Sequence, residues 1–157
     1  MCINLDFGIT KKGAVLVEYR ELTSILVKTE KEKLKKIAEK IENKYKVKIL
    51  KPGDNALTMM GVRESVDSLP FYIGEVLISR CIVSVEDRKG YGFIMSDNIE
   101  TAYHLALIDA VIYFDDQLRE EIYKTAEKEK KRIELEKKKE YAVLEKTKVK
   151  FKSMEEF

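Results

Sequence analysis

Apolar residues in the first third of the chain recur three or four positions apart, with Lys and Glu between them: Leu34, Ile37, Ala38, Ile41 and Tyr45. This spacing predicts an amphipathic helix with one buried face. Thr29 and Glu32 stand at the spacing of a capping box, which predicts the start of that helix. A shorter apolar run over residues 22–27 precedes this helix, and its pattern does not decide which type of element it forms.

The middle of the chain changes to the two-residue period of β-strands. Four strands are predicted, over residues 45–50, 56–62, 73–85 and 91–95. The Pro, Gly, Asp and Asn of 52–55 favour a turn between the first two strands, and 86–90 forms another turn. Connections this short do not allow parallel crossovers, so the sheet is predicted to be antiparallel.

A second helical region begins after Asp97 and Asn98, which are both candidates for its N-cap. One apolar stripe runs from Ile99 to Leu118, and a second stripe lies on nearly the opposite side: Leu105, Ile108 and Ile112. A helix that is apolar most of the way around is buried on two sides. The second cover would be either the chain's own C-terminal helix or a partner subunit, and the pattern leaves both open.

Together these patterns predict an α+β fold. An antiparallel sheet of about four strands packs with an N-terminal helix and a long C-terminal helical region, in a single domain of residues 1–157. Residues 119–146 have few apolar positions and mixed charge, which favours a solvated helical extension over a nucleic-acid arm.

Composition narrows the class of protein. Of the 157 residues, 37% are charged, but 30 basic and 28 acidic residues nearly cancel, which argues against a nucleic-acid binder. Cys2 and Cys81 do not make a disulfide framework and are interpreted as reduced thiols. No apolar run is long enough for a membrane span, and the N-terminus lacks an export signal. The expected location is the cytoplasm.

Candidate chemistry in the chain is sparse. His104 is the single histidine, and the sequence has none of the usual transition-metal motifs, so no metal is predicted. Gly90 and Gly92 lack the third glycine of a dinucleotide fingerprint, and a phosphate-binding loop is absent, so this chain alone is expected to bind no cofactor. Cys81 is interpreted as a small core residue, and His104 as a surface or interface residue.

Two charged residues on the longest predicted strand stand out as candidate site residues. Glu75 lies near the start of this strand, and Arg80 falls on a face otherwise made of Val76, Ile78 and Ile82. An unpaired guanidinium would be costly there. Arg80 therefore needs an anionic partner, which is either Glu75 or another acid of this chain, or a carboxylate or phosphate of a ligand or neighbour.

Several short motifs resemble, in order and spacing, the PhnG subunit of the carbon-phosphorus lyase system. They are Pro70-Phe71 with Gly74-Glu75, Ser79-Arg80-Cys81, Gly90-Tyr91, the segment 106–110 (ALIDA) and Thr147 to Met154. Arg63 stands where the family has an arginine before Pro-Phe, and residues 24–27 match a motif of its first helix. The resemblance covers about residues 24–154.

The resemblance implies a role in phosphonate breakdown. In that family, the subunit acts with PhnH, PhnI and PhnL, within a complex that includes PhnJ, to transfer an alkyl phosphonate to C1′ of ATP with release of adenine. ATP would be a co-substrate of the complex. By position, Arg63 and Arg80 are the implied substrate-binding residues, and Glu75 and Arg80 the implied catalytic residues. The resemblance also allows a homodimer within the complex.

One segment departs from the family pattern. The family has a glycine-rich loop before Pro-Phe, whereas residues 64–69 contain no glycine. Residues with a Cβ reach left-handed conformations less readily, so a phosphate would be bound less well by backbone amides here. A different class of function stays open as the alternative, namely a scaffold protein that docks its twice-apolar helix on a larger subunit and does no chemistry.

Overall fold

The computed structural model describes residues 19–148, and within them helices flank a three-stranded antiparallel sheet with strand order β1-β2-β3. The elements are α1 (Tyr19–Leu26), α2 (Lys31–Lys44), β1 (Val47–Arg63), β2 (Pro70–Val85), β3 (Arg88–Ile94), α3 (Ile99–Val111) and α4 (Asp116–Thr147). The predicted α+β class is confirmed. The C-terminal part of the Thr147 to Met154 motif, from residue 149, lies outside the described residues.

The sheet has one strand fewer than the sequence pattern predicts, because the predicted turn at 52–55 lies inside β1. The pairing of β1 with β2 shifts register between Lys51 and Asp54, which makes this segment a bulge. A bulge accommodates Pro52, which has no N–H to donate to the ladder. Gly53 lies under α3, and a Cβ on it would be 2.1 Å from Cγ2 of Ile99. Because β1 pairs with the long strand β2 on both sides of this bulge, it remains one strand.

Helix α3 is buried on two sides within the described part of the chain. One side packs on β2 and β3, and the other packs against α2. Leu22 and Leu26 of α1 border a small cavity together with Leu105 and Ile108 of α3. The N-terminal helices therefore cover the second stripe, a cover that the sequence pattern had not predicted.

The stripe predicted to run from Ile99 to Leu118 is broken between two helices. Helix α3 ends at Val111, and Asp115 caps the start of α4 by accepting the N–H groups of Gln117 and Leu118, each at 3.1 Å. An aspartate at this position satisfies helix N–H groups that otherwise have no partner. Leu118 thus belongs to the buried stripe of α4 and not to that of α3.

Helix α4 has a packed half and an exposed half. Leu118, Ile122 and Ala126 are buried, whereas every residue from Glu134 to Thr147 is exposed. The predicted helical extension over 119–146 lies within α4, although its first turns pack on the core. Of the helices described within residues 19–148, none has the length and apolar character needed to cross a bilayer.

Ion pairs attach α4 to α2. Glu129 is almost fully buried on α4, and its carboxylate lies 2.6 Å from Nζ of Lys33 on α2 and 2.8 Å from Nε of Arg132. Asp115 lies 2.7 Å from Nζ of Lys44 at the other end of α2. Burial alone would raise the pKa of Glu129, but the hydrogen bonds from Lys33 and Arg132 outweigh it and lower the pKa.

Several local predictions have clear outcomes. Asn98 is the N-cap of α3 and accepts the N–H of Thr101 at 3.0 Å, so the cap is Asn98 and not Asp97. The capping box at Thr29 is wrong, because the Thr29 hydroxyl donates to the carbonyl of Ile25. Cys81 is buried as predicted. His104 is also buried, so its interpretation as a surface or interface residue is wrong.

Beyond the edge of α3, β1 and β2 continue as a two-stranded projection. We call residues 56–78 the arm, comprising 56–63 of β1, the loop 64–69 and 70–78 of β2. We call the helices and the remaining sheet the body. In the arm β2 pairs only with β1, because the pairing of β2 with β3 runs from Ser79 to Val85. All three candidate site residues lie in the arm or at its junction with the body.

Candidate functional site

The Gly90-Tyr91-Gly92 segment and the 106–110 segment form one packing contact. Gly90 and Gly92 of β3 face α3, where a Cβ would lie 2.0 Å from the carbonyl oxygen of Ala106 and 1.8 Å from that of Ala102, respectively. No heavy atoms approach that closely without a collision, so the backbones touch only because both residues are glycine. This pair of motifs therefore fixes the helix on the sheet.

Asp109 of the same segment contacts the outer edge of the sheet. Its Oδ2 accepts the backbone N–H of Tyr91 at 2.9 Å. An edge strand leaves such N–H groups without a partner strand, and a carboxylate that accepts one occupies the position of a further strand. The role of Asp109 is thus structural at this contact.

Arg80 has its anionic partner within the chain. The guanidinium of Arg80 binds Asp54 of β1 with two hydrogen bonds, 2.8 Å from Nε to Oδ1 and 3.1 Å from Nη2 to Oδ2. These bonds raise the pKa of Arg80 and lower that of Asp54. Of the alternatives that the sequence left open, the structure shows an ion pair with another acid of the chain, and that acid is not Glu75. The side chain of Arg80 remains 35% exposed.

Ser79, the neighbour of Arg80, forms a polar contact that the sequence analysis did not assign. Its Oγ lies 2.7 Å from both Oδ1 of Asn55 and the carbonyl oxygen of Ser96, and it accepts the N–H of Asn98 at 2.8 Å. Ser79 is fully buried, and these bonds connect β1 and β2 to the start of α3. The sequence feature that could have indicated this contact is a hydroxyl residue on the same strand face as Cys81.

Arg63 lies at the far end of the arm. Its side chain is exposed, and Nη1 donates to the carbonyl of Ser68 at 3.2 Å, across the loop 64–69. Ser68 has a φ of 56°, so one residue of this loop has a left-handed backbone conformation although the loop contains no glycine. The glycine-free sequence therefore does not prevent that backbone conformation, but it makes it more costly.

Glu75 lies about midway between the two arginines. It pairs with Met59 in the ladder and is exposed. Arg63 pairs with Pro70, ten residues along β2 from Arg80, a separation of about 33 Å at the rise of a β-strand. The structure therefore does not bring Arg63, Glu75 and Arg80 together within one chain, and their proposed roles remain predictions.

Other titratable groups in the described part of the chain have structural surroundings. Burial raises the pKa of the Cys81 thiol and lowers the pKa of His104. Among residues 19–148 no group of three or more His, Cys, Asp or Glu side chains is placed to bind a metal ion. Tyr103 is half-buried and donates to Oε1 of Glu42 at 2.6 Å, and its burial together with this hydrogen bond raises its pKa.

The surface of the arm is apolar to an unusual degree. Ten of its large hydrophobic side chains are between 38% and 83% exposed: Leu57, Met59, Met60, Val62, Val66, Leu69, Phe71, Tyr72, Ile73 and Leu77. An apolar patch of this extent on a protein surface marks an interaction site.

The family model for the phosphonate metabolism protein PhnG matches residues 18–155. The chain belongs to the PhnG family. The match spans the body and the arm, so all three candidate residues lie within the PhnG region. A comparison with curated proteins returned no match. PhnG membership implies involvement in phosphonate metabolism, within a complex that has other subunits.

Proposed function

We propose that this chain is a subunit of the complex that transfers an alkyl phosphonate to C1′ of ATP with release of adenine, acting with PhnH, PhnI and PhnL in an assembly that includes PhnJ. The product would be a ribose 1-phosphonate 5-triphosphate. The observation that carries the proposal is the PhnG family match over residues 18–155. In this proposal ATP is a co-substrate of the complex, and this chain alone binds no cofactor.

The proposed chemistry suits the side chains that the described residues offer. A phosphonate oxygen attacks C1′, so the reaction uses no protein nucleophile, and it depends on positioning two polyanions and stabilising a developing positive charge. Arg63 is the stronger candidate for an anion contact, since its exposed guanidinium binds a neutral carbonyl, whereas Arg80 already binds Asp54. Glu75 is exposed and remains the candidate acid.

Reconstitution of the complex from its subunits tests the proposal. Release of adenine from ATP in the presence of methylphosphonate should require this chain, and product formation at the same rate without it would refute the proposal. In the intact complex, we expect Arg63→Ala to lower kcat/KM by at least tenfold, which corresponds to the loss of one charge-assisted contact. Arg119→Ala is the matched control, because Arg119 forms an exposed ion pair with Asp116 within α4.

The second candidate function is that of a scaffold without chemistry. The observation that favours it is the ion pair between Arg80 and Asp54, together with the wide separation of Arg63 from Arg80. The same variants separate the two functions. Unchanged turnover for Arg63→Ala, Glu75→Gln and Arg80→Ala, in complexes that assemble normally, would support the scaffold. Lost turnover in an intact complex would support the catalytic subunit.

A further inference from the structure

The arm has the amino-acid composition of a buried element, yet its side chains are exposed. Of the 17 strand residues in 56–63 and 70–78, only Arg63 and Glu75 are charged, although 37% of the whole chain is charged. Leu57 is 63% exposed and Tyr72 is 67% exposed. Folding of residues 19–148 leaves this apolar surface exposed to water, which favours its burial by a binding partner.

Both faces of the arm contribute to this surface. Side chains alternate between faces along a strand, so Leu57 and Met59 lie on one face of β1 and Met60 lies on the other. Leu57 and Met59 are 63% and 56% exposed, and Met60 is 42% exposed. The two long edges are also unpaired within the described residues, since neither β1 nor the arm half of β2 has a second neighbour.

The dimensions of the arm indicate whether a partner contacts it on one side only or surrounds it. Eight residues of strand span about 26 Å, and a two-stranded ribbon is about 10 Å wide and about 10 Å thick, so each side offers about 260 Å². A stable interface buries about 800 Å² on each partner. A second copy stacked on one face or paired along one edge covers a single side. A partner must contact about three sides to reach the required area.

From these observations we propose that the arm inserts into an apolar cleft of a different folded subunit, which contacts both of its faces. This inference rests on the proposed function, because the partner is taken to be another subunit of the phosphonate-metabolism complex. The walls of the cleft would be apolar and nearly uncharged, to match a ribbon whose faces carry few charges. The insertion would bring the exposed guanidinium of Arg63 into the partner subunit.

Variants on the two faces of the arm test the inference. The chain is co-expressed with the other subunits of the complex, and binding is measured for Leu57→Lys on one face, Met60→Lys on the other and Leu135→Lys as control. Leu135 is 54% exposed on the outer half of α4, so the control introduces the same charge on a comparable surface. We expect each arm variant to weaken assembly by at least tenfold and the control to assemble like the unmodified chain. Unchanged thermal midpoints of the isolated variants establish that the body is folded.

Hydrogen–deuterium exchange on the complex provides a second readout. Amides along both strands of the arm should exchange at least tenfold more slowly in the complex than in the isolated chain, because enclosure removes water from both edges.

Each contrary result has a distinct meaning. Loss of assembly for one face only would show a one-sided contact and overturn the enclosure. Normal assembly of both arm variants, with unprotected amides, would overturn the inference while leaving the proposed function standing. Failure of the unmodified chain to assemble would refute the proposed function and the inference with it. A homodimer of the isolated chain that Leu57→Lys abolishes, in a complex that still forms, would identify a second copy as the occupant and also overturn it.

Discussion

The body and the arm share the same two strands, yet their apolar residues have opposite environments. Val83 and Val85 of β2 are fully buried under α3, whereas Phe71 and Tyr72 of the same strand are 47% and 67% exposed. Apolar composition is similar in both halves, and the difference is the presence of a helix over one of them. Apolar residues in the body stabilise the fold, and those in the arm are available for association. Substitutions in the two regions should therefore differ in what they change.

The largest contrast is expected between two glycines. Gly92→Ala places a Cβ 1.8 Å from the carbonyl oxygen of Ala102, so α3 must move away from the sheet. We expect the free energy of unfolding to fall by about 3 kcal/mol or more, as for severe overpacking of a core. Urea denaturation of the isolated chain measures the change.

Gly74→Ala in the arm is the matched control. No heavy atom lies within 4 Å of a Cβ at Gly74, so the added methyl group meets open space. We expect a change within about 1 kcal/mol, in the stabilising direction, because Gly in a strand costs conformational entropy. Similar losses for the two variants would contradict the division into body and arm.

The second contrast concerns acid. Burial alone would raise the pKa of Asp115, but hydrogen bonds from Lys44, the Leu118 amide and Tyr45 outweigh it and lower the pKa from 3.8 to about 2. A carboxyl whose pKa is lower in the folded state stabilises the protein above the unfolded pKa, and that stabilisation is lost as pH falls. We expect about 2 kcal/mol to be lost between about pH 4 and about pH 2.

Asp115→Asn should remove this part of the pH dependence while keeping a helix cap, since Asn caps nearly as well as Asp. Chemical denaturation at a series of pH values measures it. Lys44→Gln should remove part of the same effect, because it removes the positive charge of one of the donors to Asp115. An unaltered acid profile in Asp115→Asn would show that other carboxyls of the body are responsible.

The third contrast uses two left-handed residues, one in each region. Asp87, in the turn between β2 and β3, has a φ of 63°, and Ser68 in the arm loop has a φ of 56°. We expect Asp87→Gly to raise the free energy of unfolding by about 0.5 to 1 kcal/mol, since glycine adopts this conformation without steric cost. Ser68→Gly should raise it less, because the arm is expected to open before the body unfolds. Equal gains would show that the arm unfolds together with the body.

The smallest effect is expected where the regions join. Asp54 and Arg80 are both partly exposed, so a double-mutant cycle with alanine should give a coupling energy of about 0.5 kcal/mol. The cycle is measured by urea denaturation. A coupling well above 1 kcal/mol would show that the pair anchors the arm, and a negligible coupling would leave Arg80 available for an anion.

Sequence patterns predicted which helices and strands form better than they predicted where each one begins and ends. The 3.6-residue period of α2 was sufficient because its buried residues all lie on one face of the helix. The predicted turn at 52–55 was wrong because the turn propensity of Pro52 and Gly53 is local, whereas the pairing of β1 along the whole of β2 is a tertiary effect. The break at Asp115 was missed because Phe114 and Leu118 continue the apolar spacing across it.

The candidate site was less predictable than the fold. The pattern correctly required an anionic partner for Arg80, but it could not identify Asp54, which the shifted register of β1 places opposite. The burial of His104 was missed because it depends on helix packing that its own neighbours in sequence do not encode. The motifs gave the family, while the distances between Arg63, Glu75 and Arg80 depend on how far the arm extends.

The hydrogen bond from Tyr91 to Asp109 also has a consequence for the way in which the sheet could grow. An incoming strand at β3 would have to displace this carboxylate from the backbone, whereas the outer edge of β1 is unpaired along the described strand. Templated strand addition, including the first step of fibril formation, is therefore directed to β1 and to the arm half of β2. In a cell that makes this chain in excess of its partners, the aggregates should be nucleated from these edges.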